Sequence, residues 1–288
     1  MFKEYIETIE HELNSIFESP KFEKHSLIKE AMSYSALLPS KKLRAVLCLE
    51  ACRVFSDDWT VALPTACAIE MLHTQSLIHD DLPCMDDDDL RRGKPSNHKV
   101  YGEAIAVLAG DALISYGAQV ILKNTPKVVS REIVFEILDG YLDAAGAFGI
   151  VGGQVADIVS EGKKVSLEEL EFIHKFKTST MFEFALNSGA LLGGADEKGR
   201  LAISKFAKNY GLAFQIKDDI LDATATTQEL GKTTGKDAMV QKATYVTILG
   251  LEGAREKLKA LIKNCCDIIE AENLKTDVLV EILKKLEK

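Results

Sequence analysis

The chain has 288 residues, 47% of them hydrophobic, with ordinary Gly and Pro contents, enough for one large core or two modest ones. Its formal net charge of -9 argues against nucleic acid or an anionic membrane surface as a partner of the whole molecule. Any anionic ligand must therefore be met by local basic groups or by metal.

The first residues, Met1 to Ile9, include Lys3 and Glu4 and have no apolar core of signal-peptide length. No stretch approaches the roughly 18 uninterrupted apolar residues of a membrane span, so a cytoplasmic protein is expected. Six cysteines occur without paired CxxC elements or zinc-type Cys/His spacing, and read as reduced, mostly buried thiols. Ser40 precedes a basic helical run holding Lys41, Lys42 and Arg44. Pro64 opens a helix that runs to about Leu82, where Pro83 stops it. A loop follows from Cys84 to Val100, with Gly93, Pro95 and Asn97, and the next helix begins near Gly102. All six prolines lie at or before Pro126. Beyond it the apolar residues recur at three and four, so Leu167 to Leu192 and Leu201 to Leu221 read as long helices. The Thr- and Gly-rich run Thr224 to Gly235 reads as a flexible segment of the kind that serves as a lid. Strand-type alternation is absent over any useful length. The expectation is all-α: one domain, residues 1–288, with about ten or more helices joined by short turns.

Two acidic clusters stand out. Residues 80 to 89 read DDLPCMDDDD, and the four residues Leu82 to Met85 let the chain fold Asp80 and Asp86 onto one metal, a turn that Pro83 eases. In the second cluster Asp218 and Asp222 are spaced i, i+4, which puts both carboxylates on one helix face. Carboxylates crowded this closely repel one another unless a cation is present. Magnesium suits the pattern because it takes one or two carboxylates and leaves positions for phosphate oxygens. Calcium is the rival occupant, but an EF-hand loop starting at Asp86 fails: its fifth position is Leu90 and its sixth Arg91. Either cluster alone reads as a solvated acidic face; the two together, each beside basic residues, favour a metal site.

Those basic residues are Arg91 and Arg92 after the first cluster, Lys217 before the second, and Lys232 and Lys236 in the glycine loop. Lys41, Lys42, Arg44 and the pair Lys177–Thr178 stand further off. Arginine forks and lysine point charges beside metal carboxylates are the equipment of diphosphate chemistry. GKTTGK at Gly231 to Lys236 is not a P-loop, since only three residues separate its glycines and Asp237 stands where Ser or Thr is required. No serine or cysteine nucleophile is indicated, and the six histidines are scattered.

SLIHDDLPCMDDDDLRRGKPSNHKVYGE, AGDAL at Ala109 to Leu113 and FQIKDDILD at Phe214 to Asp222 together resemble the trans-isoprenyl diphosphate synthases (polyprenyl synthetases), closest to the bacterial farnesyl and geranylgeranyl diphosphate synthases. The likeness spans roughly Lys41 to Tyr245, with Gly153–Gln154 and Lys177–Thr178 in family order. It implies a helical bundle around a central cavity and a homodimer. It implies three magnesium ions, held by Asp80, Asp81, Asp86, Asp218 and Asp222, with Asp219 acting through water. Arg91, Lys177, Lys217 and Lys232 would meet the allylic diphosphate (dimethylallyl or geranyl). Lys41, Arg44, His73 and Arg92 would bind isopentenyl diphosphate, while Thr178 and Gln215 would direct dipoles at a developing carbocation. Lys177, Thr178, Gln215 and Lys232 thus form the expected catalytic set. A terpene cyclase is disfavoured because the second motif is DDILD; a non-catalytic regulatory subunit would have no reason to keep both motifs.

Where the family usually has Gly-Gly-Lys-Arg-Leu-Arg-Pro, this chain has PSKKLRA, so Ser40 and Lys42 replace a glycine and an arginine. The expectation is weaker or rearranged isopentenyl diphosphate binding. Product length should be set on the first-motif helix five residues before Asp80, about 7.5 Å deeper. Gln75 stands there, followed by Ser76, where bacterial farnesyl enzymes usually carry an aromatic; Met71, Met181 or Phe182 are alternative floors. Farnesyl diphosphate is the favoured product and geranylgeranyl diphosphate the runner-up.

Overall fold

The computed structural model describes residues 2–224, 243–274 and 276–287. They form more than ten α-helices and almost no sheet. In chain order these are α1 (Phe2–Phe17), α2 (Ser26–Ala36), α3 (Leu43–Arg53), α4 (Leu63–Asp80), α5 (Asn97–Tyr101), α6 (Glu103–Asn124) and α7 (Arg131–Ala145). Then follow α8 (Ile150–Ser160), α9 (Leu167–His174), α10 (Thr180–Leu192), α11 (Glu197–Thr224), α12 (Tyr245–Ala271) and α13 (Asp277–Glu287).

The bundle is organised around α4. Pro64 sits in its first turn, where the missing N–H costs nothing, and buried residues occur on every side of it, from Thr65 and Ala66 to Gln75 and Ile78. A helix buried all round belongs at the centre, and α4 packs against α6 on one side and α3 on another. The pairs α3–α10 and α11–α12 supply the other large contacts. A buried clasp ties the two ends of the chain together: Glu50 on α3 accepts from Tyr5 Oη at 2.9 Å and from Thr276 Oγ1, just before α13, at 2.6 Å.

The structure refines several expected boundaries. The stretch 167–192 is helical throughout, but Lys175–Ser179 between α9 and α10 is a π-turn. The loop after α4 contains a two-residue antiparallel ladder, Leu90 opposite Pro95 and Arg91 opposite Lys94. Its turn is Arg92–Gly93, both at positive φ (54° and 73°), the conformation a two-residue hairpin requires. The short α5 follows before α6 starts at Glu103. The proposed lid, Thr224 to Gly235, lies outside the described residues after Thr224, and with it Lys232 and Lys236.

One helix qualifies the expectation about membrane spans. α6 has a window of mean hydropathy 1.7, only 39% buried, and is long and apolar enough by length and composition to cross a membrane. Its inner face, including Ala106, Ala109 and Leu113, is packed in the bundle, whereas Val107, Leu108 and Leu122 are exposed. The apolar residues are interrupted by polar ones, so counting uninterrupted runs misses the segment.

Candidate active site

Both acidic clusters lie at helix C-termini, where the backbone dipole is already negative. Asp80 is the last residue of α4, and Asp218 and Asp222 lie in the last two turns of α11. The carboxylates therefore add to an unfavourable field, which a cation would relieve.

The loop after α4 folds back as the spacing predicts. Asp86 N–H donates to the Asp80 carbonyl at 2.8 Å, and Asp88 N–H to the Asp81 carbonyl at 3.2 Å. Burial, with the Asp86 and Asp81 charges adding and Lys177 and Arg91 opposing, pushes Asp80 up to about 6. Asp81 turns elsewhere. It is 2% exposed and held by the Arg91 fork: Arg91 Nε lies 2.9 and 3.2 Å from its two oxygens, and Nη2 bonds Oδ1 as well as Asp88 Oδ2, the latter at 3.2 Å. Asp81 and Arg91, expected to face metal and diphosphate, are paired with each other. The loop is anchored to α2, with Asn97 Nδ2 donating to the Ala31 carbonyl at 2.8 Å and Tyr34 Oη to the Pro95 carbonyl at 2.8 Å.

The π-turn links the clusters. Lys177 Nζ donates to Asp157 on α8 at 2.6 Å and lies close enough to Asp80 to favour its ionised form. The next residue, Thr178, donates to Gln215 Oε1 at 2.9 Å, one turn before Asp218 and Asp219. Gln215 Nε2 donates in turn to Asp219 Oδ1 at 3.0 Å, and Asp219 Oδ2 accepts Tyr245 N–H at 2.7 Å. Asp219 therefore orients Gln215 and receives the first amide of α12. π-turns widen a helix locally and recur at functional sites. Thr180 Oγ1 covers the Lys175 carbonyl at 2.9 Å. Gly153 permits the close approach of α8, since a Cβ there would stand 2.2 Å from the Lys177 nitrogen.

A basic pocket lies beside the first cluster. Arg44 Nη1 lies 3.5 Å from His73 Nε2; arginine only donates, so His73 accepts. Burial, reinforced by Arg44, Arg92, Lys42 and Arg91, holds His73 well below the ordinary imidazole range. The Arg44 guanidinium lies 4.4 Å from the centre of the Phe182 ring and 6.0 Å from that of Phe214, and its charge senses Asp218. Phe182, considered as a cavity floor, thus carries Arg44 and packs on Tyr210 and Phe214; Met71 and Met181 are core residues. Arg92 Nη1 reaches the Leu38 carbonyl at 3.4 Å. Lys217 is half-buried on α11, its amine lowered by burial and by Arg255.

Lys41 is exposed, whereas Lys42 is 2% exposed and faces inward. At φ 44° it precedes α3, and its Nζ donates to the carbonyls of Ala36 at 2.8 Å and Leu38 at 3.4 Å, with Glu70 at 4.0 Å. Lys42 therefore closes the α2–α3 turn, the rearrangement expected where it replaces an arginine being visible in its inward direction. Gln75 is buried and bonded to His79, and Ser76 Oγ donates to the His73 carbonyl at 2.9 Å.

Sequence reasoning missed Asp157, although it stands three residues after Gln154 and thus on the same side of α8. It also left out His174, buried against Tyr245 with ring centroids 5.4 Å apart. Burial and Lys177 lower His174 to about 4 despite Asp157.

The donor set fits a hard divalent cation: the groups are carboxylate oxygens, at negative helix ends, beside cations suited to phosphate. No three His, Cys, Asp or Glu side chains converge into one metal group among the described residues. One or two protein carboxylates per ion is what magnesium takes when water and phosphate oxygens complete the shell.

Helical fold and site together define an enzyme of diphosphate-bearing substrates. A model of the polyprenyl synthetase family matches residues 25–284, and the chain belongs to that family of prenyltransferases. It is 48% identical over 231 residues to the farnesyl diphosphate synthase of Geobacillus stearothermophilus, covering 80% of this chain and 78% of the relative. To the chloroplastic geranylgeranyl pyrophosphate synthase of Catharanthus roseus it is 48% identical over 257 residues, covering 88% and 72%. The crystal structure of a geranyltransferase from Helicobacter pylori, complexed with magnesium and isoprenyl diphosphate, superposes with a TM-score of 0.82 at 31% identity, covering 99% of this chain and 94% of that one.

Proposed function

We propose that the protein condenses isopentenyl diphosphate head to tail with dimethylallyl and then geranyl diphosphate, giving farnesyl diphosphate. The observation that carries this reading is the π-turn, which sets Lys177 beside Asp80 and bonds Thr178 to the turn preceding Asp218. Asp80, Asp86, Asp218 and Asp222 would hold magnesium; Asp81 and Asp219, committed to Arg91 and to Gln215 and Tyr245, would support them. When bound, magnesium neutralises charge on the departing diphosphate.

Lys177, Lys217 and Lys232 take the allylic diphosphate, with Arg91 fixing the loop beside it. Arg44, His73, Arg92 and exposed Lys41 take isopentenyl diphosphate. As the allylic C1–O bond breaks, the oxygens of Thr178 and Gln215 face the carbocation. The hydroxyl proton of Thr178 is already committed to Gln215, so its lone pairs remain for the cation. The isopentenyl double bond attacks C1, and the proton then lost passes to the departed diphosphate. Buried apolar side chains exclude water, which would otherwise quench the cation.

The fifteen-carbon product is supported by likeness along almost the whole chain to the farnesyl diphosphate synthase of Bacillus subtilis, 43% identical and covering 96% of this chain and 92% of the relative. A twenty-carbon product is favoured by Gln75, smaller than an aromatic stop. We assign the protein to the cytoplasm, in keeping with thiols that form no disulfide framework. The exposed apolar face of α6 supports a homodimer, which light scattering would report as twice the chain mass. Incubation with magnesium, labelled isopentenyl diphosphate and each allylic diphosphate, followed by chromatographic sizing, tests the activity. No incorporation by folded protein would rule it out.

A further inference from the structure

A chain of contacts leads from Gln75 across to α6. Gln75 Nε2 lies 3.0 Å from His79 Nδ1, one turn along α4, and His79 Nε2 lies 3.1 Å from the Val107 carbonyl. A carbonyl oxygen only accepts, so His79 donates from Nε2, and with the ring neutral its Nδ1 is an acceptor. Gln75 therefore donates its amide N–H to Nδ1. Its Oε1 is left buried with no hydrogen-bond donor. The tautomer of His79 thus selects one orientation of the Gln75 amide over the flipped one.

Gly110 is what lets the imidazole reach that position. A Cβ at Gly110 would stand 2.1 Å from His79 Nε2, 2.5 Å from Cδ2 and 2.8 Å from Cε1. The ring occupies a notch that even an alanine would fill. A glutamine left to itself samples several rotamers, each ending at a different depth, and a floor of varying depth makes a mixture of products.

The geometry points to Gly110 and His79 as positioning residues for product length: the notch seats His79, His79 fixes Gln75, and the fixed amide sets the depth at which elongation stops. The inference rests on the reading of Gln75 as the cavity floor.

The test is the ratio of twenty- to fifteen-carbon product under saturating substrates; partial loss of folded enzyme lowers turnover but leaves that ratio alone. Gly110→Ala should move the ratio by about fivefold, roughly one hydrogen bond's worth of bias. His79→Phe keeps a ring in the notch but removes the acceptor, and should move the ratio likewise, which covers the case of a Gly110 variant that does not fold. In a Gln75→Ala background the Gly110→Ala effect should vanish. If Gln75→Ala shifts the ratio while neither Gly110→Ala nor His79→Phe does, the positioning role is overturned and the floor reading stands. If Gln75→Ala leaves the ratio unmoved, the floor reading falls and the inference with it. A Gly110→Ala shift that persists in full without Gln75 also overturns it, because the effect then bypasses that residue.

Discussion

Two adjacent aspartates, Asp218 and Asp219, should fail in different ways when their charge is removed. Asp219 is 5% exposed, and its two oxygens accept Gln215 Nε2 at 3.0 Å and Tyr245 N–H at 2.7 Å. Asparagine keeps the shape but offers one acceptor, so one of the two N–H groups would face another donor. A charge-assisted bond is lost and a buried donor left unmade, about 3 kcal/mol together. For a chain of this size that lowers Tm by about 6 °C. Asp218→Asn instead removes one of the two half-buried carboxylates that share one face of α11. It should cost less than half that in Tm, yet raise the magnesium concentration for half-maximal turnover by at least about tenfold. Thermal melts in chelator, paired with magnesium titrations of turnover, separate the two. The reasoning is refuted if Asp219→Asn melts within about 1 °C of the parent while shifting the magnesium requirement as Asp218→Asn does.

Lys42→Met keeps the buried stem but removes the ammonium from the Ala36 and Leu38 carbonyls. Denaturant titration should show a loss of about 1–2 kcal/mol, while KM for isopentenyl diphosphate stays within about twofold. Lys41→Ala, at the exposed neighbour, should raise that KM. Gly153→Ala drives a Cβ into the Lys177 backbone; kcat/KM should fall by about 100-fold, with Lys177 displaced from Asp157. His174, with a folded pKa of about 4, favours the neutral ring in the native state. Its contribution, about 3 kcal/mol, is present above the unfolded value of about 6.5 and is lost as pH falls through that window toward 4. His174→Phe keeps the packing on Tyr245, so its stability should fall less steeply than the parent's between those pH values; parallel curves would exclude His174 as the source.

The closure of Asp80 on Asp86 was legible because proline and spacing are local properties of the chain. So were the helix from Pro64 and the single helical face shared by Asp218 and Asp222. The division of labour within each aspartate pair was not. Asp80 and Asp81 are chemically alike in sequence, and their surroundings separate only when the Arg92–Gly93 hairpin returns Arg91 onto Asp81. The inward direction of Lys42 was hidden for a related reason: it follows from a left-handed φ, which a run of basic residues does not announce. The π-turn was hidden because KFKTST continues a helical pattern, and one surplus residue hardly disturbs the periodicity of its apolar neighbours. Asp157 belongs to the same omission, since its partner becomes visible only once that turn is in place.

That surplus residue amounts to an insertion retained inside a helix. Its effect is to let consecutive side chains, Lys177 and Thr178, serve different acidic clusters from one rigid rod. Deleting any single residue of Lys175–Ser179 would return the segment to regular pitch and leave the buried face of α10 nearly in register. The wide turn that directs Lys177 and Thr178 to different clusters would be lost instead. The alignment of the two clusters is therefore written in the register of a helix, and a change in chain length there would disturb it more than most changes of residue.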